Sequence, residues 1–300
     1  MTDARELSAR PQLRIMVATD GSDDARAAVE WLVHCPLPAA AELLAITVVT
    51  VPSAPLDIPP VRQFTEALRD DARRAVGSAR ATLAVRWPTA QARLCEGEPR
   101  AELLRVIDEW APDLVVLGAR GLSAVARALL GSVSLAVTRH AACSVLVVKP
   151  AARPLRTVLV AADGSPHAAA AAAFLASLSV DRMLDVRVLG VVEPPHFPSS
   201  AAAAAQPVLR AAVDAMMKER SAELEHALAD IAAPLHGKVR VMVGRAADTI
   251  VDEAADCAAD LIVVGARGLG HVTRLLLGSV SERVLRHAAC PVLIVKRRPR

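Results

Sequence analysis

The sequence predicts an α/β chain of two tandem, doubly wound domains, each a five-stranded parallel sheet of Rossmann-like layout with helices on both faces. Three observations carry that expectation. The chain has 300 residues, about twice a usual single-domain length. Its second half replays the first: "RIMVATDGS" at Arg14 to Ser22 returns as "TVLVAADGS" at Thr157 to Ser165, and "APDLVVLGARGL" at Ala111 to Leu122 as "AADLIVVGARGL" at Ala258 to Leu269. From Ala111 to Lys149, 27 of 39 residues equal the residue 147 positions later; the first-strand copies lie 143 apart, so four residues were gained between them. Short apolar runs alternate with helical periods throughout, as parallel βαβ crossovers require. We place the domains at 1–151 and 152–300.

Each element of the first half follows from its residues. Leu13 to Thr19 is a continuous apolar run closed by "DGS", which suits a buried parallel strand leading into a helix. Asp20 or Ser22 serves as the N-cap, and "ARAAVEWLVH" carries apolar residues at helical spacing. Leu43 to Val51 reads as the second strand, "VPSAPLDIPP" as a Pro-rich loop, and Val61 to Trp87 as a long helix. Ala92 to Glu96 makes a third strand, and Pro99 opens the third helix, where its missing N–H is harmless. Leu114 to Gly118, Ser132 to His140 and Val145 to Lys149 complete the half as strand, helix and strand. The second half repeats this order, with an Ala-rich helix after Pro166 and an Ala/Pro-rich loop at 193–207. Such sheets bind ligands beyond the carboxyl ends of their strands, between the first and the fourth. Both "DGS" and "GARG" lie there.

The motif with chemical content is G-x2-G-x9-G-S. It occurs as Gly118, Gly121, Gly131, Ser132 and again as Gly265, Gly268, Gly278, Ser279. Glycine lets backbone approach a bulky anion. Gly131-Ser132 and Gly278-Ser279 open a helix, where free N–H groups and the dipole favour a phosphate. Arg120, Arg127, Arg267 and Arg274 are candidates to add charge. A strand-to-loop turn and a plain helix cap would explain a single copy. Two copies, retained while neighbouring helices drifted, favour a ligand. No GxxxxGK[ST] is present, and the first strand is not followed by GxGxxG.

This loop, "DGS" after the first strand and "HAACPVLIV" at His287 to Val295 together resemble the universal stress protein family, in its tandem two-domain form, over residues 11 to 297. The resemblance implies an adenine nucleotide alpha hydrolase-like fold and, because the loop is intact in both halves, binding of ATP or another adenine nucleotide. It further implies ribose contacts from Asp20 and Asp163, main-chain contacts from Ala18 and Ala161, and adenine bonding through the backbone of Val48 and Val191. Leu117, Gly118 and Gly121, with Val264, Gly265 and Gly268, would line the ribose-phosphate side. Gly131, Ser132 and Val133, with Gly278, Ser279 and Val280, would cradle phosphates, bridged by Mg²⁺ or Mn²⁺ held mainly by nucleotide and water. No protein metal ligands and no catalytic residues are assigned. The fifth strands, Val145 to Val148 and Val292 to Val295, are expected to pair with each other.

Composition excludes several classes. Net charge is +3, the one basic run is the terminal "KRRPR", and three Phe, three Trp and no Tyr leave few platforms for bases to stack on, so nucleic acid is not the expected partner. Five cysteines without a CxxC pair suggest neither disulfides nor zinc. With no signal-like start and no apolar run of membrane length, the expected location is cytoplasmic. His140 and His287 read as helix C-caps, and Cys143 and Cys290 as small buried hydrophobes. The leading function is a nucleotide-binding regulator of stress response, with a homodimer and unidentified protein partners. The alternatives are a slow ATPase or other nucleotide-hydrolysing enzyme, and a scaffold whose loops are structural. Binding ranks above catalysis because no general base stands beside the loop.

Overall fold

A computed structural model describes residues 12–51, 58–122, 130–150, 152–178, 184–195, 206–268 and 277–297. The first half contains β1 (Arg14–Ala18), α1 (Asp23–His34), β2 (Glu42–Val49), α2 (Pro59–Ala84), β3 (Gln91–Glu96), α3 (Pro99–Trp110), β4 (Leu114–Gly118), α4 (Ser132–His140) and β5 (Ser144–Val148). The second contains β6 (Thr157–Ala161), α5 (Pro166–Ser177), β7 (Asp185–Val192), α6 (Gln206–Ala232), β8 (Lys238–Val243), α7 (Ala246–Asp256), β9 (Leu261–Gly265), α8 (Ser279–His287) and β10 (Val292–Val295). The long helix of the first half ends at Ala84, three residues before its expected limit. Trp87 leaves the helix because it is 1% exposed and its indole N–H donates to the Pro38 carbonyl at 3.0 Å.

The ten strands form one sheet in the order β3-β2-β1-β4-β5-β10-β9-β6-β7-β8. Pairing is parallel within each half and antiparallel at the centre, where β5 meets β10. There Leu146 lies opposite Leu293, its own counterpart 147 residues later, so the axis relating the halves passes through that pair. The expected pairing of the two fifth strands is therefore present. It hides two edges that would otherwise recruit another strand.

Alternation along the strands divides the core into two layers. Ile15 and Val17 face α1 and α2, while Met16 and Ala18 face α3 and α4. Both layers run through the centre, with Leu146 and Leu293 on one face and Val145, Val147, Val292 and Ile294 on the other. β4, β5, β9 and β10 are buried along their whole length, because helices cover both faces of a parallel sheet. The halves also exchange polar ties. The Trp31 indole donates to Arg153 O at 2.7 Å, and the ammonium groups of Lys149 and Lys296 each reach the last carbonyls of the other half's final helix.

Candidate functional site

The carboxyl ends of β1, β2 and β4 open onto a cavity of about 530 Å³. All nine first-half positions singled out above line it: Ala18, Asp20, Val48, Leu117, Gly118, Gly121, Gly131, Ser132 and Val133. Ile46, Leu103 and Leu130 add apolar wall, while Thr19, Thr50 and Arg120 add polar groups. The cavity thus sits between the first and fourth strands, at the point where strand order reverses.

The "DGS" turn sets one side of it. Gly21 has φ +78° and its counterpart Gly164 +77°, conformations that disfavour a side chain. Ser22, rather than Asp20, is the N-cap of α1, its hydroxyl accepting from Ala25 N at 3.3 Å; Ser165 does the same for α5. Asp20 instead ties the turn to the glycine loop, accepting from Ser22 N at 3.0 Å and Leu122 N at 2.8 Å. Asp163 accepts likewise from Ser165 N at 3.0 Å.

The glycines of the loop serve different ends. A Cβ on Gly118 would fall 2.7 Å from the Asp24 carbonyl carbon, and one on Gly121 would fall 2.4 Å from Asp20 Oδ2. Packing against the backbone of α1 therefore requires Gly118 without any ligand, whereas a side chain at Gly121 would displace the Asp20 carboxylate that ties the loop. Gly131 differs. It has ordinary extended backbone, φ −70° and ψ 150°, and caps α4 with no side-chain oxygen. The first turn of α4 is consequently presented to the cavity through Ser132 and Val133 without a competing cap. Gly131 N donates to Ala119 O at 2.7 Å, and Ser134 Oγ donates to Gly118 O at 2.8 Å, which fixes the helix start against the strand end.

The second half repeats this construction. Gly278 caps α8 with φ −71° and ψ 151°, Gly278 N donates to Ala266 O at 2.8 Å, and Ser281 Oγ donates to Gly265 O at 2.7 Å. A Cβ on Gly268 would fall 2.4 Å from Asp163 Oδ2. Ala161 and Val264 pair with each other at the ends of β6 and β9, Val191 lies near the end of β7, and Ser279 and Val280 open α8.

Sequence reasoning missed Ser134 and Ser281, although the second Ser of the repeated "GSVS" was their signal. It also gave no sign of the partner of Arg120. That side chain lines the cavity, but its Nε lies 3.0 Å from Asp24 Oδ2, and its own backbone N–H donates to the same oxygen at 3.1 Å. Asp24 is buried, so the pair is a fixed one. Arg127 and Arg274 lie outside the described residues. His287 Nδ1 contacts Arg283 O at 2.8 Å at the far end of α8, as a cap does. Cys143 is buried as expected, whereas Cys290 is only partly buried, its thiol raised by that burial to about 11. No helix among the described residues is long and apolar enough to cross a membrane.

The model of the universal stress protein family matches residues 13–149 and again 154–296, which together span nearly the whole chain. The chain belongs to the universal stress protein family. A universal stress protein of Mycobacterium tuberculosis is 32% identical over 308 residues, covering 96% of this chain and 98% of that protein. One from Mycolicibacterium smegmatis is 30% identical over 302 residues, with 95% and 97% covered. One from Thermus aquaticus matches only 47% of this chain yet 98% of its own length, at 34% identity, so it corresponds to a single half. The crystal structure of a universal stress protein from Archaeoglobus fulgidus superimposes on the chain with TM-score 0.64, covering 96% of this chain and 100% of that one at 20% identity. Within the universal stress protein fold, the cavity described above occupies the carboxyl ends of the strands.

Proposed function

We propose that this universal stress protein binds ATP or a related adenine nucleotide in each half and acts as a regulator in stress response, the bound nucleotide biasing its conformation or partners. One observation carries the reading: the uncapped start of α4 at Gly131-Ser132 opens on a cavity that also has an apolar wall of Ala18, Ile46, Val48 and Leu117. A helix start of this kind supplies free N–H donors and the positive end of the dipole to a phosphate. Apolar walls from Ala18, Ile46, Val48 and Leu117 suit a flat base and ribose. Asp20 keeps lone pairs for a ribose hydroxyl beyond the two backbone N–H groups that it accepts. A divalent cation would be held by phosphate oxygens and water. Binding ranks above hydrolysis because the cavity's described carboxylate, Asp20, is already engaged in holding the loop.

Two measurements test the proposal. Purified protein, denatured and centrifuged, should release adenine nucleotide into the supernatant. ATP should raise the melting temperature of the wild type but not of the Gly131→Asp, Gly278→Asp double variant, whose added carboxylates sit at the helix starts. A wild type that releases no nucleotide and shows no ATP-dependent shift would refute the reading. Sustained phosphate release from the wild type, lost in the double variant, would favour the ATPase instead.

A further inference from the structure

The two halves are not electrostatic copies. At the start of α1 stand Asp23 and Asp24; at the matching turn of α5 stand Pro166 and His167. Asp24 is buried and receives Arg120 through Nε at 3.0 Å and a terminal guanidinium nitrogen at 3.3 Å, which cancels the one cation that lines the first cavity among the described residues. Arg267, the counterpart of Arg120, forms no salt bridge among the described residues. At the position of Asp24 stands His167, whose buried Nδ1 has no hydrogen-bond partner among the described residues. An imidazole carries no negative charge in either protonation state, so His167 cannot neutralise an arginine as Asp24 does; burial, then Arg297 and Arg267, lower its pKa against the opposing pull of Asp163. Arg297 in turn stands where the first half has Pro150.

We propose that the second half is the polyphosphate-selective site, with Arg267 available to a terminal phosphate, whereas the first half, its Arg120 neutralised by Asp24, discriminates weakly between nucleoside mono- and triphosphates. This rests on the nucleotide reading given above. A change of about one unit charge beside the loop alters binding in proportion to ligand charge, so it acts most strongly on ATP and least on AMP. His167 is therefore a specificity-determining residue, acting through the arginine it fails to neutralise.

The test uses full-length single-site proteins: Gly278→Asp, which leaves the first site, and Gly131→Asp, which leaves the second. Each is titrated calorimetrically with ATP and with AMP in metal-free buffer. The preference for ATP over AMP should be about tenfold greater at the second site, and its ATP affinity should fall more steeply with added salt. Adding His167→Asp to the Gly131→Asp protein should collapse that preference toward the first site's value. Asp24→Asn in the Gly278→Asp protein should raise the first site's preference, and this keeps the test open should the histidine variant fail to fold. Equal or reversed preferences at two working sites, or a preference that neither substitution moves, would overturn the inequality. Failure of the wild type and both single-site proteins to bind any nucleotide would instead overturn the underlying reading.

Discussion

At the residue scale, glycines with the same spacing do different work. Gly118 is demanded by the backbone of α1, since an added Cβ would lie 2.7 Å from the Asp24 carbonyl carbon. At Gly265 the corresponding contact, to His167 C, is 3.0 Å. Gly118→Ala should therefore destabilise the ligand-free protein by roughly 2 kcal/mol, as overpacking against backbone does, and Gly265→Ala by less. Urea denaturation without nucleotide measures both, and equal, negligible costs would contradict the packing account. The caps give a second comparison: Ser22→Ala and Ser165→Ala should each cost about 1 kcal/mol. The motif's spacing was legible in sequence because the two copies display it twice. Its division of labour was not, because Asp24 and Arg120 are separated by 96 positions and no periodicity links them. Once the fold superimposes the halves, the exchange of Asp24 for His167 becomes readable from the residues alone.

Elements carry the longest-range coupling. Lys149 follows β5, and its Nζ donates to Leu285 O at 2.8 Å; Lys296 follows β10 and donates to Ala141 O at 2.6 Å and Arg139 O at 3.2 Å. Each lysine thus caps the C-terminal end of the other half's last helix, where cations are favoured. The same strand ends receive the glycine loops, as Ala119 N donates to Val148 O at 2.9 Å and Ala266 N to Val295 O at 2.8 Å. Burial lowers both ammonium groups to about 8. Their unfolded values lie near 10.4. Between those limits the unfolded chain binds the extra protons, so stability rises with pH through that window; below about pH 8 the folded protein keeps both charges at a cost. The gain across the window is up to about 3 kcal/mol per lysine. A Lys149→Met, Lys296→Met variant should lose this component, so its melting temperature should rise less than the wild type's from pH 8 to pH 10. Parallel curves for the two proteins would show that the buried lysines do not titrate there. Strand and helix order was readable from apolar runs and Pro or Ser starts, whereas these cross-half caps depend on the antiparallel centre and leave no local pattern.

At the scale of the whole molecule, duplication has produced a quasi-symmetric ten-stranded sheet. Leu146 opposite Leu293 marks its axis, flanked by Val147 opposite Val292 and Val145 opposite Ile294. Removing the second half would expose β5, a fully buried strand, to solvent. A fragment of residues 1–151 should therefore pair through β5 with a second copy, Leu146 against Leu146, and sediment as a dimer. A monodisperse monomer would contradict the role given to the central pair. The Arg139 guanidinium bridging to Glu282 at 2.7 Å cannot form in such a dimer, because the position of Glu282 in the first half is Leu135. The fragment should accordingly associate less tightly than the halves do in the chain. The central claim is that each half holds one adenine nucleotide at a glycine-capped helix start. Equilibrium dialysis of full-length protein against ATP tests it most directly: the account predicts two nucleotides bound per chain at saturation, one in either single Gly→Asp variant and none in the double variant, whereas no retained ATP, or undiminished retention by the double variant, would contradict it.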